Sequence, residues 1–461
     1  MTVEESTANG VSVQDAAKPE LVEGVAHEKP VVGIDETEAP VTATALASRF
    51  QHLSLSAQTI HADDFLNSHQ SVAPPMHVST TFRYNDDPDE LKPWTNINPN
   101  NPYDSHVYSR DTAPNTNRLE AVLTSILHGP ALTYSSGLSA FHALLVFLNP
   151  RRIAITDGYH GCHGVIKVVS KLSGLQTIPL DADFADLQPG DVVHVETPLN
   201  PTGEARNLRS YADRAHARGC LLSVDATLAP PPLQDPFALG ADVVMHSGTK
   251  YFGGHSDMLC GVLAVHPRHA GSWMPQLRAE RLVLGSVMGS FEGWLGVRSL
   301  RTLELRVRKQ SGDAEKLVSW LAGETSRKNS VVGELVAQVK HASLQQQQEE
   351  GWLRDQMPAG FGPVFAVYLR DADDARRLPS KLALFHHATS LGGVESLVEW
   401  RAMTDAGVDK RLLRFSIGIE GFEDLRDDLV RGFEALKAER AKRDVGAKVA
   451  SDGGANLIGG V

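Results

Sequence analysis

Apolar and polar positions alternate in blocks through the middle of the chain. Over 115–129, "NTNRLEAVLTSILHG", residues Leu119, Val122, Leu123, Ile126 and Leu127 share one helical face, and Gly129 is a stop. "TYSSGLSAFHALLVFLNP" then reads as a Ser/Ser/Gly turn opening an apolar helix. "RRIAITDGYHG" is a short apolar run entering a glycine loop, and "DVVHVETPLNPTGE" is a second run ending in a Pro/Asn/Gly turn. "NLRSYADRAHARG" predicts a helix with Leu208, Tyr211, Ala212 and Ala215 inward, Asn207 as cap and Gly219 as stop. "CLLSVDATLAPPP", "ADVVMHSGTK" and "CGVLAVH" supply three more strands. Apolar strands separated by helices predict a mostly parallel sheet covered on both faces.

After about residue 300 the pattern changes. "RSLRTLELRVRKQSGDAEKLVSWLAG" predicts one long helix, and "PVFAVYLR" and "LLRFSIGI" predict strands of a smaller α+β unit. The helix "EDLRDDLVRGFEALKAERAK" closes it, and "QQQQEE" (345–350) reads as a solvated helix face or loop. The expected fold class is therefore α/β, a large doubly wound, mostly parallel sheet domain with a smaller C-terminal α+β domain. The bounds drawn are an acidic disordered tail over 1–60, the large domain with an N-terminal arm over 61–300, the small domain over 301–442 and a flexible tail over 443–461. No internal repeat is visible.

Composition narrows the function classes. A chain of 461 residues, 42% hydrophobic and 22% charged, has the make-up of a soluble globular protein large enough for more than one domain. A net charge of −12 argues against nucleic acid or an anionic membrane as partner. Three cysteines (Cys162, Cys220 and Cys260) make no disulfide framework and suit a reducing compartment. No run of 18 apolar residues predicts a membrane span. The first sixty residues lack an apolar signal core, and the closing "NLIGGV" is no peroxisomal or reticular address. Cytoplasmic localisation is expected.

The chemistry clusters where strands end. Asp157 with Tyr159, Glu196 with Asn200, Asp225 with Thr227, and Ser247 with Thr249 and Lys250 each follow an apolar run. In an open parallel sheet ligands bind outside the carboxyl ends of the strands. "YSSGLSA" opens a helix with small residues, so its free N–H groups make an anion site, to which Ser247 and Thr249 add hydroxyls and Arg110 a charge. Lys250 can form a Schiff base with an aldehyde once burial and neighbouring cations make its amine neutral. Asp225 closes an apolar strand, where a lone carboxylate is costly unless a cation such as a pyridinium nitrogen pairs with it. Tyr159, between glycine turns, can stack on such a ring, and the fork of Arg414 suits a substrate carboxylate. "HGCH" (160–163) has no second ligand pair at metal spacing, so no metal site is expected. Neither phosphate-binding glycine signature of nucleotide enzymes is present.

In order along about residues 70–440, "APPMHVSTTF", "YSR", "SSGLSA", "ETPLNPTGE", "VDAT", "HSGTKYFGGHSD", "SLGGVESL" and "RFSIGIE" resemble the trans-sulfuration, or Cys/Met-metabolism, family of enzymes dependent on pyridoxal 5′-phosphate (PLP). The resemblance implies PLP fold type I, as in aspartate aminotransferase, and a homotetramer built as a dimer of dimers with active sites shared across each dimer. It implies that Lys250 carries the cofactor and shuttles a proton, that Asp225 pairs with the ring nitrogen, and that Tyr159 stacks on the ring and assists at the leaving group. Gly137, Leu138, Ser247 and Thr249 would hold the phosphate, joined from the neighbouring subunit by Tyr108 and Arg110. Asn200 would sit near the ring hydroxyl with Glu196 close by, Thr227 would belong to the cofactor site, and Ser390 and Arg414 would grip the substrate carboxylate. The implied reaction acts at a carbon–sulfur bond of a small amino acid. It is γ-replacement on an O-acylhomoserine, as in cystathionine γ-synthase, with β-elimination from cystathionine, or γ-replacement by another nucleophile, as alternatives. A non-catalytic protein on the same fold would not need the retained lysine and carboxylate.

The chain departs from the family pattern at Ala226, where asparagine is usual, and at Gly248, where alanine is common. Thr389 stands where several γ-acting members carry glutamate. "VEWRAMTD" (398–405) lacks the usual proline and histidine, which bears on the far end of the substrate pocket. The segment 85–106 is longer than usual and precedes "YSR".

Overall fold

Seven short strands form the larger sheet of the computed structural model, which describes residues 49–67, 70–93, 106–345 and 351–455. They are β1 (Ala131–Tyr134), β2 (Arg152–Ala154), β3 (Gln176–Ile178), β4 (Val192–Glu196), β5 (Leu221–Asp225), β6 (Val243–Ser247) and β7 (Gly261–Val265), in the order β1-β7-β6-β5-β4-β2-β3. β7 is antiparallel to both its neighbours, and the other pairs are parallel. Strand β4 is buried throughout, and β5 and β6 are buried save for one end residue each, which is why these segments read as unbroken apolar runs.

Helix Gly137–Leu148 begins where the Ser136 side chain accepts from the Ser139 N–H and ends at left-handed Asn149. Helix Leu208–His216 is capped by Asn207, as its sequence predicts, and Gly219 beyond it has φ +68°. The stretch expected as one long helix from residue 298 is two, Ser290–Leu300 and Leu303–Thr325, broken at Arg301 and Thr302.

The smaller sheet comprises β8 (Val336–Lys340), β9 (Val364–Leu369), β10 (His386–His387), β11 (Leu397–Trp400) and β12 (Leu412–Ser416), in the order β10-β11-β12-β9-β8. Helix Phe422–Ala455 places Leu425, Leu429, Phe433 and Leu436 in the core beneath it. Helix Leu303–Thr325 contributes Leu303 and Val307 to the core of the large sheet and Ala314, Leu317, Val318 and Leu321 to that of the small one.

Two tail boundaries need correction. Residues 55–60, placed in the disordered acidic tail, belong to the helix Leu55–His61 capped by Ser54. Its Gln58 is buried, accepts from Ser125 Oγ at 2.9 Å and donates to the Leu53 carbonyl at 2.9 Å. At the other end the closing helix runs on to Ala455, past the expected limit at 442. Residues 1–48 of the acidic tail, all but Gln345 of the glutamine tract, and residues 94–105 of the long segment lie outside the described residues.

Candidate active site

Parallel pairing in register sets Glu196 beside Asp225, and Asp225 beside Met245, at the carboxyl ends of β4, β5 and β6. These ends open into a cavity of about 490 Å³. Gly137, Leu138, Tyr159, Asn200, Asp225, Thr227, Ser247, Thr249, Lys250, Ser390 and Arg414, all expected at the site, line it together with Glu196 and Thr389. The set does not include this chain's own Tyr108 and Arg110. Arg110 instead lies over the Tyr108 ring at 5.5 Å and reaches the Leu282 carbonyl at 3.5 Å, on an exposed part of the surface.

Lys250 Nζ donates to Ser390 Oγ at 2.7 Å. Burial, assisted by the charge of Arg414, brings the Lys250 amine down to about 8. Ser390 is a non-glycine residue at φ +79°, a strained conformation held where its hydroxyl meets the lysine and its carbonyl accepts from Arg414 Nη2 at 2.6 Å. Arg414 also donates through Nη1 to Asn200 Oδ1 at 3.1 Å and pairs with Glu399 at 2.6 Å.

Asp225 is 5% exposed and accepts from the Thr227 N–H at 3.0 Å and the Thr227 hydroxyl at 2.5 Å. The same hydroxyl oxygen accepts from the Ser247 N–H at 2.8 Å, which ties β5 to β6. Burial raises the Asp225 carboxyl despite these bonds. Glu196 accepts from the backbone N–H of Tyr159 at 2.7 Å and of Asn200 at 2.6 Å. Burial, then the neighbouring Asp225, pushes Glu196 up to about 8. Gly158 makes the Tyr159 turn possible: its φ is +110°, and a Cβ there would stand 2.7 Å from Glu196 Oε2.

These residues fit pyridoxal phosphate. Among the described residues no ion pair involves Asp225, a buried acid that a pyridinium nitrogen would satisfy. The depressed amine of Lys250 suits covalent attachment to an aldehyde. At the start of helix Gly137–Leu148 a Cβ on Gly137 would stand 3.0 Å from Ser247 Cβ and 3.1 Å from its Oγ, so glycine keeps this turn open beside Ser247. Thr249 lines the cavity, and its hydroxyl accepts from the Cys260 N–H at 3.0 Å and donates to the Cys260 carbonyl at 3.3 Å.

Arg401 and Thr404, also in the lining, were not anticipated individually, nor was Glu399 behind them. The sequence signal was the departure at "VEWRAMTD", which contains all three.

A large sheet bearing a lysine, a buried carboxylate and a helix start at one edge matches a PLP-dependent enzyme of fold type I. The family model for Cys/Met metabolism PLP-dependent enzymes matches residues 56–434, and the chain belongs to that family of trans-sulfuration enzymes. It is 32% identical to the cystathionine beta-lyase of Lactococcus lactis over 353 residues, covering 71% of this chain and 88% of that one. It is 31% identical to the cystathionine gamma-synthase of Escherichia coli over 386 residues, covering 79% and 93%. The crystal structure of cystathionine gamma-lyase from yeast matches with a TM-score of 0.71 at 29% identity, over 84% of this chain and 98% of that one. No helix among the described residues is long and apolar enough to cross a membrane.

Proposed function

We propose that this enzyme replaces the γ-substituent of an O-acylhomoserine with a thiol, a reading supported by its likeness to the cystathionine gamma-synthase/O-acetylhomoserine (thiol)-lyase of Bacillus subtilis. The observation that carries the reading is the contact of Lys250 Nζ with Ser390 Oγ, 2.7 Å long, beside the guanidinium of Arg414. It sets a proton-accepting amine next to a carboxylate anchor, the arrangement needed to act at the α-carbon of an amino acid. The "SLGGVESL" strap that contains Ser390 supports γ-replacement by its likeness to γ-synthase sequences.

In this reading Arg414 fixes the substrate carboxylate, Lys250 takes the α-proton and returns it further along the chain, and Tyr159 at the cavity rim serves the leaving group. Bound pyridoxal phosphate supplies the electron sink. Asp225 holds the ring nitrogen in its charged form, and the Gly137–Leu138 turn with Ser247 and Thr249 holds the phosphate. Tyr108 and Arg110 complete the phosphate site across a dimer, and two such dimers form the tetramer. The enzyme works in the cytoplasm.

A second reading, β-elimination from cystathionine, is favoured by Thr389, which lines the cavity where several γ-acting members carry glutamate. Assays of the holoenzyme separate the two. Cystathionine made from an O-acylhomoserine and cysteine supports replacement. Pyruvate released from cystathionine, with no such synthesis, supports elimination and overturns the first reading.

A further inference from the structure

Replacement by a thiol leaves one proton over. The S–H proton must be lost as the sulfur attacks the γ-carbon, and the departing acyl group, a carboxylate, does not keep it near neutral pH. A thiol of ordinary acidity is only about a few per cent ionised at pH 7, so a base in the cavity speeds its capture. Among the described residues that line the cavity, most titratable groups are committed. Both Glu196 oxygens accept from backbone N–H groups, those of Tyr159 and Asn200. Asp225 faces the ring nitrogen in this reading, and Lys250 Nζ, held on Ser390 Oγ, serves the α-proton. Arg401 and Arg414 have no proton-accepting atom near neutral pH. Burial raises the Tyr159 phenol above its ordinary range, so near neutral pH it keeps its proton and takes none from sulfur.

His160 remains. It opens the helix His160–Ser173 directly after Tyr159, lines the cavity and is exposed to solvent. Its ring centroid stands 4.7 Å from that of Tyr159, with the planes at 55°. Gly161 leaves room for the tyrosine ring: a Cβ there would stand 2.5 Å from Tyr159 Cε1 and 2.9 Å from Leu138 Cδ2. Among the described residues no hydrogen bond or ion pair occupies the imidazole. An imidazole takes and gives up a proton near neutral pH, and one that borders both cavity and solvent can pass it to water.

We propose that His160 is a further catalytic residue, the general base that takes the S–H proton of the incoming thiol. A ring nitrogen receives the proton as the electron pair freed on sulfur forms the C–S bond at the γ-carbon. The γ C–O bond breaks with its electron pair on the departing carboxylate. The imidazolium then gives its proton to water on the exposed side, which resets the site. The adjacent rings divide the work: Tyr159 attends the leaving group with its proton in place, and His160 attends the thiol. The inference deepens the γ-replacement reading above and rests on it.

The test uses the holoenzyme with O-acetylhomoserine and cysteine. It reads the ratio of cystathionine to 2-oxobutanoate, the product of substrate that loses its acyl group without capturing thiol. His160→Gln should lower that ratio about tenfold or more at pH 7. The deficit should close as pH rises past about 8.5, where the thiol arrives already ionised. Added imidazole should restore part of the ratio in His160→Ala. A ratio that His160→Gln leaves unchanged overturns the proposal. So does a deficit of the same size at every pH, which marks a structural role. Loss of cofactor absorbance in both variants also overturns it, since His160 would then hold the site together rather than move a proton. A wild type that makes no cystathionine overturns the γ-replacement reading itself, an outcome seen before any variant is measured.

Discussion

Gly392 lies directly against the backbone of Lys250. A Cβ at this position would stand 2.9 Å from the lysine carbonyl carbon and 3.1 Å from its Cβ, and the glycine holds φ +86°. Its N–H donates to Ser416 Oγ at 3.1 Å, so the strap is fastened to β12 as it passes over the lysine. Gly392→Ala should destabilise the protein by about 1–3 kcal/mol through conformational strain and the clash. Thermal melting of the variant against the wild type checks this.

The depressed amine of Lys250 predicts a pH dependence. Its value of about 8 in the fold lies below the 10.5 of a free lysine. Between these values the unfolded chain holds the proton and the folded one does not, so the contribution to apoprotein stability rises with pH across this window. The neutral amine is the reactive form. Cofactor capture by the apoprotein should therefore accelerate as pH rises towards about 8 and level off above it. Lys250→Ala should show no covalent cofactor absorbance and no turnover, with an unchanged circular dichroism spectrum.

Glu196 and Asp225 carry the opposite sign. Both carboxyls are raised, Glu196 to about 8 by burial and then by Asp225, and Asp225 by burial. The folded apoprotein holds protons that the unfolded chain has released, so this contribution falls as pH rises from about 4.5 towards about 8. Glu196→Gln should flatten that slope in urea melts recorded over the same range. Asp225→Asn should lower kcat by about a hundredfold or more, as loss of a group that stabilises developing charge does. Its apoprotein should melt no lower than wild type, because a costly buried carboxylate has been removed. A lower melting point would assign Asp225 a role in holding the fold.

Arg414→Ala should raise KM by about tenfold to a hundredfold, the worth of a charge-assisted carboxylate contact. Steady-state kinetics with saturating thiol measure it. An unchanged KM would move the carboxylate anchor elsewhere in the cavity.

Much of the site was legible because β4, β5 and β6 are buried on both faces. Their apolar runs stand out, and the polar residues that end them stand out by contrast. Asn207 could be read as a cap because its side chain performs that task locally. Other features left no local trace. β1 is four residues long and disappears into the turn that follows it. The reversed direction of β7 comes from its pairing with β1 and β6, and a strand's sequence does not encode which way its neighbours run. Residues 55–60 were absorbed into the acidic tail by composition, although Gln58 is held in part by Ser125, on a helix 67 residues further on. Arg401 has the same character: its burial depends on Glu399, held between β12 and the turn after β11.

The 23-residue helix Leu303–Thr325 is embedded at one end under the cofactor sheet and at the other under the sheet that carries Arg414. It works as a shared axle. Neither half of the protein can be expressed alone without leaving a greasy flank of that axle in water.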